Sequence, residues 1–357
     1  MKSSEPSQAS EASADYPVSI TLMEAQDMKY RNSLPQLAGV PMLADGGLET
    51  HLVFKDGIDL PLFAAFTALH TETGRMALDR YMESFAQLAQ ETGRGFLMDT
   101  PTWRASARWA ADLGVSRDEL AALHTEVVVC LSRLRERYEL PGLPFVINGV
   151  IGPYSDGYAP TEILSAEAAE RYHTAQASWF AEAGADMISA ITMTYPGEAI
   201  GISRAALEVG LPAAVSFTVE TDGRLPSGHR ISEAIEAVDA ATDCSVAYYM
   251  LNCAHPDHFR RELEAAQFGG GDWHRRIRGL RVNASRLSHA ELDASETLDD
   301  GDHTELGALH RPLAALLPNL TVVGGCCGTD HRHVAAICDA LREPAQSERA
   351  RRAELRN

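Results

Sequence analysis

The chain has 357 residues, of which 45% are hydrophobic, and a chain of this size can bury a large core. Its 31 lysines and arginines stand against 50 aspartates and glutamates, and the resulting formal charge of −19 repels nucleic acid and anionic membrane surfaces. No apolar run approaches the roughly 20 residues of a membrane-spanning helix, and the N-terminus lacks an apolar signal segment, so the sequence predicts a cytoplasmic protein without nucleic-acid or membrane partners.

Both ends of the chain are predicted to lie outside the folded domain. Residues 1–15 consist mostly of Ser, Glu, Ala and Pro, with almost nothing to bury, which is typical of a disordered tail. Residues 343–357 are rich in charge and alanine and predict a charged C-terminal tail. The folded domain is therefore expected to span residues 16–342.

Between these ends, eight short apolar segments bounded by Gly, Pro, Asn or Asp predict buried strands. In chain order they are 42–45, 95–99, 144–150, 186–193, 212–219, 247–253, 280–283 and 320–325. Amphipathic segments separate them and predict helices, for example over 75–92, 116–138, 166–183 and 331–341. This alternation predicts a single-domain (β/α)₈ TIM-type barrel, with a doubly wound open sheet as the alternative and residues 285–307 as a loop-like insertion after the seventh strand.

Active sites of such barrels form at the C-terminal ends of the strands, and cysteines occupy two of these ends. Cys253 ends the sixth predicted strand, and Cys326 and Cys327 end the eighth. These strands are two apart around a barrel, so the three thiols are expected to meet. Zn²⁺ prefers thiolates, and a catalytic zinc keeps three protein ligands and one open position. The sequence therefore favours a zinc site.

Other interpretations of these cysteines remain open. A disulfide or redox pair between Cys326 and Cys327 is one, and a nucleophilic cysteine assisted by His255 or His331, as in a metal-free hydrolase or thiol oxidoreductase, is another. The remaining cysteines have apolar neighbours and are predicted to be small buried hydrophobes. They are Cys130, Cys244 and Cys338.

The other polar residues at predicted strand ends are candidates for substrate binding. They are Asp45, Gly46, Gly47, Asp99, Thr192, Glu220 and Asn252. The two glycines can bare backbone N–H groups that hold a carboxylate, and Asp45 can accept from an ammonium group, which together suit an amino acid. Trp103 and Tyr154 are candidate aromatic faces for a positively charged ligand.

Four motifs together resemble the homocysteine S-methyltransferase family, with similarity over about residues 39–342. They are Asp-Gly-Gly-Leu-Glu-Thr at 45–50, Asn-Cys at 252–253, Asn-Ala-Ser at 283–285 and Gly-Gly-Cys-Cys-Gly-Thr at 324–329. The resemblance implies a (β/α)₈ barrel that binds zinc through Cys253, Cys326 and Cys327. It also implies that the Asp-Gly-Gly loop contacts the amino-acid end of homocysteine.

The implied reaction is zinc-dependent methyl transfer from a sulfonium donor, S-methylmethionine or S-adenosylmethionine, to homocysteine, giving methionine. Many family members carry a glutamate before the threonine that ends strand four, where it binds the substrate ammonium, but this chain has Ile191 before Thr192. Asp99 and Glu220 are candidates for the missing carboxylate. The alternatives are methylation of a different thiol and a non-catalytic zinc-binding barrel.

Overall fold

The computed structural model describes residues 28–269 and 271–342. The predicted tails, 1–15 and 343–357, lie outside these residues and stay predictions. The same holds for the start of the folded domain at residue 16.

Eight parallel strands in the described residues close into a barrel in chain order, and β8 pairs with β1. They are β1 (Met42–Ala44), β2 (Gly95–Asp99), β3 (Phe145–Ile151), β4 (Met187–Met193), β5 (Ala213–Phe217), β6 (Tyr248–Asn252), β7 (Ile277–Val282) and β8 (Val322–Gly325). The predicted (β/α)₈ barrel is thus confirmed, and the open sheet was the wrong alternative.

Helices surround this barrel. They are α1 (Leu48–Phe54), α2 (Glu72–Thr92), α3 (Ala107–Asp112), α4 (Arg117–Tyr138), α5 (Ala166–Ala183), α6 (Pro196–Glu208), α7 (Ile231–Thr242), α8 (Pro256–Gly269), α9 (His289–Asp293), α10 (His303–Leu316) and α11 (His331–Ala340). Caps fix several of the starts: Thr71 accepts from the Gly74 N–H ahead of α2, and Ser116 forms a capping box with Glu119 ahead of α4. None of the helices in the described residues is long and apolar enough to span a bilayer.

The strands bury both faces, as parallel strands in a barrel must. One apolar cluster fills the barrel interior and includes Met42, Leu97, Met187 and Tyr248, and a larger one lies between the strands and the helices. The polar candidate residues lie at the C-terminal ends of the strands. We call this end the barrel mouth.

Two expectations from the sequence are corrected. Residues 285–307 are not simply a loop, because they contain α9 and the first turn of α10, each begun by a polar cap. Cys130 and Cys244 are exposed rather than buried, since they lie on the outer helix surface and in the turn after α7, whereas Cys338 is buried as expected. None of these three cysteines belongs to the sulfur cluster described next.

Candidate active site at the barrel mouth

Three cysteine sulfurs meet at the barrel mouth. Cys253 directly follows β6, and Cys326 and Cys327 directly follow β8. The three ligand atoms all lie within 4.8 Å of one another. The structure pairs Cys253 with Cys326 as a disulfide, with their Cα atoms 5.3 Å apart, so a disulfide between Cys326 and Cys327 is not what forms here. We call Cys253, Cys326 and Cys327 the sulfur cluster.

The sulfur cluster fits a zinc ion once the disulfide is reduced. Tetrahedral Zn–S bonds of about 2.3 Å place ligand sulfurs about 3.8 Å apart, and the three sulfurs here all lie within 4.8 Å of one another. Burial raises the pKa of the Cys327 thiol to about 11, so a cation beside it would be needed to hold it as a thiolate at neutral pH. Three convergent soft donors are the set that zinc prefers.

The Asp-Gly-Gly loop (residues 45–47), which joins β1 to α1, packs against the cysteine loop (residues 326–330), which joins β8 to α11. A Cβ on Gly46 would lie 2.7 Å from the Thr329 carbonyl oxygen, and one on Gly47 would lie 2.5 Å from the Cys326 carbonyl oxygen. Glycine is therefore required at both positions for this close approach.

The N–H groups of these two glycines are already engaged. Gly46 N donates to the Tyr81 hydroxyl and Gly47 N donates to the Thr329 carbonyl, both at 3.0 Å. The sequence analysis expected these N–H groups to be free to bind a substrate carboxylate, and the structure corrects this expectation. Their hydrogen bonds instead hold the Asp-Gly-Gly loop in place.

A buried arginine, not considered in the sequence analysis, changes the role of the two aspartates. Arg281 on β7 is only 6% exposed and forms ion pairs with both Asp45 and Asp99. Asp99 also accepts from the Asn148 amide at 2.7 Å. Burial raises the pKa of Asp45 while the Arg281 guanidinium opposes that shift. Neither aspartate is thus a free carboxylate awaiting an ammonium group.

Asn252 and Thr192 hold the backbone beside Cys253. The Asn252 amide oxygen accepts from Thr192 N at 3.1 Å and from Ser216 Oγ at 2.6 Å, and its amide nitrogen donates to Thr192 Oγ1 at 2.8 Å. Cys253 and Thr192 both have positive φ, 51° and 64°, a conformation that non-glycine residues seldom adopt. The amide of Asn252 therefore positions the end of β4 against the end of β6.

A tyrosine and a histidine that sequence reasoning missed complete the mouth. The Tyr158 hydroxyl donates to Cys253 Sγ at 3.4 Å and lies 3.7 Å from Cys327 Sγ, and its ring lies 4.4 Å from that of His289. His289 Nε2 is 2.6 Å from the Cys253 carbonyl oxygen, and His289 Nδ1 is 3.2 Å from Glu220 Oε1. Glu220 thus reaches the site through His289, which the insertion after β7 supplies.

The two candidate aromatic faces differ. Trp103 lies beside the site, with its ring 6.5 Å from the Tyr158 ring and its Nε1 donating to the Ile191 carbonyl. Tyr154 instead packs on Tyr172, with the Arg108 guanidinium over its ring at 4.6 Å. Tyr158 rather than Tyr154 is the tyrosine next to the sulfurs.

The histidines proposed as partners of a nucleophilic cysteine do not contact the sulfur cluster. In the described part of the chain, no hydrogen bond joins His255 or His331 to Cys253, Cys326 or Cys327; the hydroxyls of Tyr158 and Thr192 are the groups within reach. Burial lowers the pKa of His255 to about 4. The geometry favours a metal site over a cysteine–histidine pair.

A sequence model of the homocysteine S-methyltransferase family matches residues 42–341, most of the chain. This chain belongs to that family. Its fold is similar to crystal structures of the homocysteine methyltransferase MmuM from Escherichia coli. The oxidised form has 19% identity and a TM-score of 0.65, covering 84% of this chain and 94% of that one, and the metallated form has 18% identity and a TM-score of 0.64, covering 84% and 96%. Among curated proteins, none matches the chain significantly.

In this member of the homocysteine S-methyltransferase family, the C-terminal end of β4 has no charged side chain. Ile191 is 7% exposed and joins the apolar cluster of the barrel interior. Of the residues predicted to bind substrate, Asp45, Asp99, Thr192 and Asn252 are buried at the mouth, and Glu220 has a side chain that is 35% exposed. The structure brings the predicted residues together, but protein partners already occupy most of their polar groups.

Proposed function

We propose that this methyltransferase moves a methyl group from a sulfonium donor, S-methylmethionine or S-adenosylmethionine, to the zinc-activated thiol of homocysteine, giving methionine. The observation that carries the proposal is the sulfur cluster, in which all three ligand atoms lie within 4.8 Å at the mouth of the barrel. Membership of the homocysteine S-methyltransferase family supports the acceptor. The chemistry of three thiolates supports the metal.

Cys253, Cys326 and Cys327 would hold the ion, and the rest of the mouth would position it. When bound, Zn²⁺ would supply a substrate thiolate at neutral pH, where a free thiol with a pKa near 8.5 is mostly protonated. Asn252 and Thr192 fix the backbone that carries Cys253. His289 does the same at the Cys253 carbonyl, with Glu220 orienting its ring.

The methyl donor must lie opposite the acceptor sulfur, because the methyl carbon is attacked in line with its leaving group. Tyr158 and Trp103 present neighbouring rings beside the sulfur cluster. A sulfonium is a soft cation that an aromatic face attracts. The aromatic side of the mouth therefore supports a positively charged donor over a neutral one.

The test begins with metal analysis of protein kept reduced during purification. The proposal expects about one zinc per chain, lost in Cys326→Ser and retained in Cys130→Ser, a matched control because Cys130 is exposed and lies outside the cluster. Methionine formation from homocysteine is then measured with S-methylmethionine, S-adenosylmethionine and betaine.

Each outcome of this test decides something. Zinc-dependent methionine formation with a sulfonium donor supports the proposal. Zinc binding without methyl transfer from any donor would leave a non-catalytic zinc barrel or a different thiol acceptor. Zinc-free protein that remains active on thiols would end the proposal.

A further inference from the structure

An α-amino-acid thiol presents an ammonium group that needs a carboxylate partner once it leaves water. The tip of β4 cannot provide one, because Ile191 is apolar and 7% exposed. A different carboxylate at the mouth must therefore meet the ammonium. The charge of Asp293 also acts on Cys327, but Asp293 is exposed. The other candidates at the mouth are Asp45, Asp99, Glu220 and Glu49.

Asp45 and Asp99 share one cation. Arg281 forms an ion pair with each of them, and Asn148 donates a further hydrogen bond to Asp99. Drawing either aspartate towards a substrate ammonium would weaken a buried ion pair, and uncompensated buried charges are costly. These two carboxylates are better described as the supports of Arg281.

The Glu220 carboxylate also has a protein partner, and its side chain is more exposed than those of the two aspartates. Its Oε1 is 3.2 Å from His289 Nδ1, and its side chain is 35% exposed. An ion pair at such an exposed carboxylate contributes little, because water competes with it. Its observed contact orients His289 against the Cys253 carbonyl.

Glu49 differs from all three. It lies in the first turn of α1, two residues beyond Gly47, and Gly47 packs on the carbonyl of Cys326. Within residues 28–269 and 271–342, no other side chain hydrogen-bonds or ion-pairs with its carboxylate; the nearby Arg104 contacts Asp156 at 3.4 Å, and Arg281 contacts the two aspartates.

Glu49 lies near residues of the sulfur cluster and of the barrel mouth. Its charge acts on Cys327, on Tyr158 and on Asp45. Burial raises the pKa of the Glu49 carboxyl. A cation bound by Glu49 would lie close enough to the sulfur cluster for Glu49 to act electrostatically on Cys327.

We propose that Glu49 binds the ammonium group of the thiol substrate and takes the place of the carboxylate that Ile191 cannot supply. This inference rests on the proposed function, because it takes homocysteine as the acceptor. It makes Glu49 a specificity-determining residue: it favours thiols that carry an ammonium group over those that do not.

The test compares homocysteine with 4-mercaptobutanoate, which has the same thiol and carboxylate but no ammonium group. Binding of each is measured by calorimetry to reduced, zinc-loaded protein without methyl donor. Glu49→Gln keeps the shape and removes the charge, so homocysteine should bind about 10- to 100-fold more weakly, as expected for a lost hydrogen bond to a charged group. Binding of 4-mercaptobutanoate should stay the same.

Glu91→Gln is the matched control, because Glu91 is an exposed glutamate at the far end of α2. Zinc content of each variant is measured alongside, and unchanged 4-mercaptobutanoate binding shows that Glu49→Gln leaves the fold and the metal intact. Equal losses for both thiols or unchanged homocysteine binding would each overturn the role of Glu49 while the proposed function stands. A wild-type protein that binds neither thiol would overturn both.

Discussion

Two clusters at the barrel mouth differ in how directly their chemistry follows from residue type. The sulfur cluster lies where strand counting placed it, at the tips of β6 and β8. The charged cluster, which we define as Asp45, Asp99 and Arg281, gathers the predicted aspartates around a cation that was not predicted. The first cluster has the convergent geometry that its predicted chemistry requires, whereas the aspartates of the second have a different partner from the one predicted.

The difference follows from what each donor needs. Convergent thiols suit a soft cation whatever else surrounds them. The residue type and its position at a strand end were therefore sufficient to predict this cluster. A carboxylate is available to a ligand only if no protein cation has already paired with it. Here Arg281 has done so for both aspartates, whereas Glu49 on the neighbouring helix has no ion pair with any described residue.

Oxidation should disrupt the sulfur cluster as a zinc site. We expect the resulting loss of zinc binding to be the largest effect among these predictions. A disulfide between Cys253 and Cys326 removes two of the three thiolates, so oxidised protein should bind essentially no zinc. Dithiothreitol returns two electrons and two protons to the pair and should restore about one zinc per chain. Zinc is measured by atomic absorption after gel filtration. Equal zinc uptake by the oxidised and reduced forms would show that the ion binds elsewhere.

The charged cluster can be broken by removing its cation. Arg281→Met leaves Asp45 and Asp99 buried without a counter-ion and should lower the free energy of unfolding by about 3–5 kcal/mol. Urea denaturation measures this. Arg278→Met on the same strand is the matched control: Arg278 is half-buried, has no ion pair in the described residues, and should cost about 1 kcal/mol or less.

A second variant separates charge from packing in the charged cluster. If Arg281→Met destabilises because of the unpaired aspartates, adding Asp45→Asn and Asp99→Asn should recover part of the loss. No recovery, or a loss under about 1 kcal/mol for Arg281→Met alone, would contradict the idea that Arg281 occupies these carboxylates.

The sequence predicted the barrel and the sulfur cluster because both depend on local patterns. Apolar strands alternating with helices, and cysteines at two strand ends, are visible along the chain. Arg281 lay within the predicted seventh strand, 280–283, and it was missed because the face of that strand which enters the barrel depends on tertiary structure. Tyr158 and His289 come from a loop and an insertion, whose path no periodicity reveals.

The close contact between Gly47 and the Cys326 carbonyl connects the two clusters. Disrupting this contact should have a smaller effect than removing Arg281. Gly47→Ala would place a Cβ 2.5 Å from the Cys326 carbonyl oxygen, so the Asp-Gly-Gly loop and the cysteine loop must separate. We expect a loss of about 1–3 kcal/mol in stability and weaker zinc binding. In Gly269→Ala the added Cβ meets nothing within 4 Å, so neither quantity should fall. Normal zinc affinity in Gly47→Ala would mean that the loops are not coupled.

The smallest effect should come from Tyr158, whose hydroxyl touches the sulfur cluster without being one of its members. Tyr158→Phe removes the hydrogen bond to Cys253 Sγ but keeps the ring that packs on His289. A net hydrogen bond of about 0.5–1.5 kcal/mol corresponds to about a 2- to 13-fold change in zinc affinity, measured in the reduced protein by competition with a chelator.

The sign of the Tyr158→Phe effect follows from the donor. The phenol donates to a sulfur that must be a thiolate to bind zinc, so losing it should weaken zinc binding rather than strengthen it. Tyr172→Phe removes a hydroxyl that contacts Ser106 and Arg108 instead, and it should leave zinc affinity unchanged. If Tyr158→Phe strengthens zinc binding, the hydroxyl competes with the metal for the thiolates. In that case Tyr158 must move aside whenever the sulfur cluster is filled.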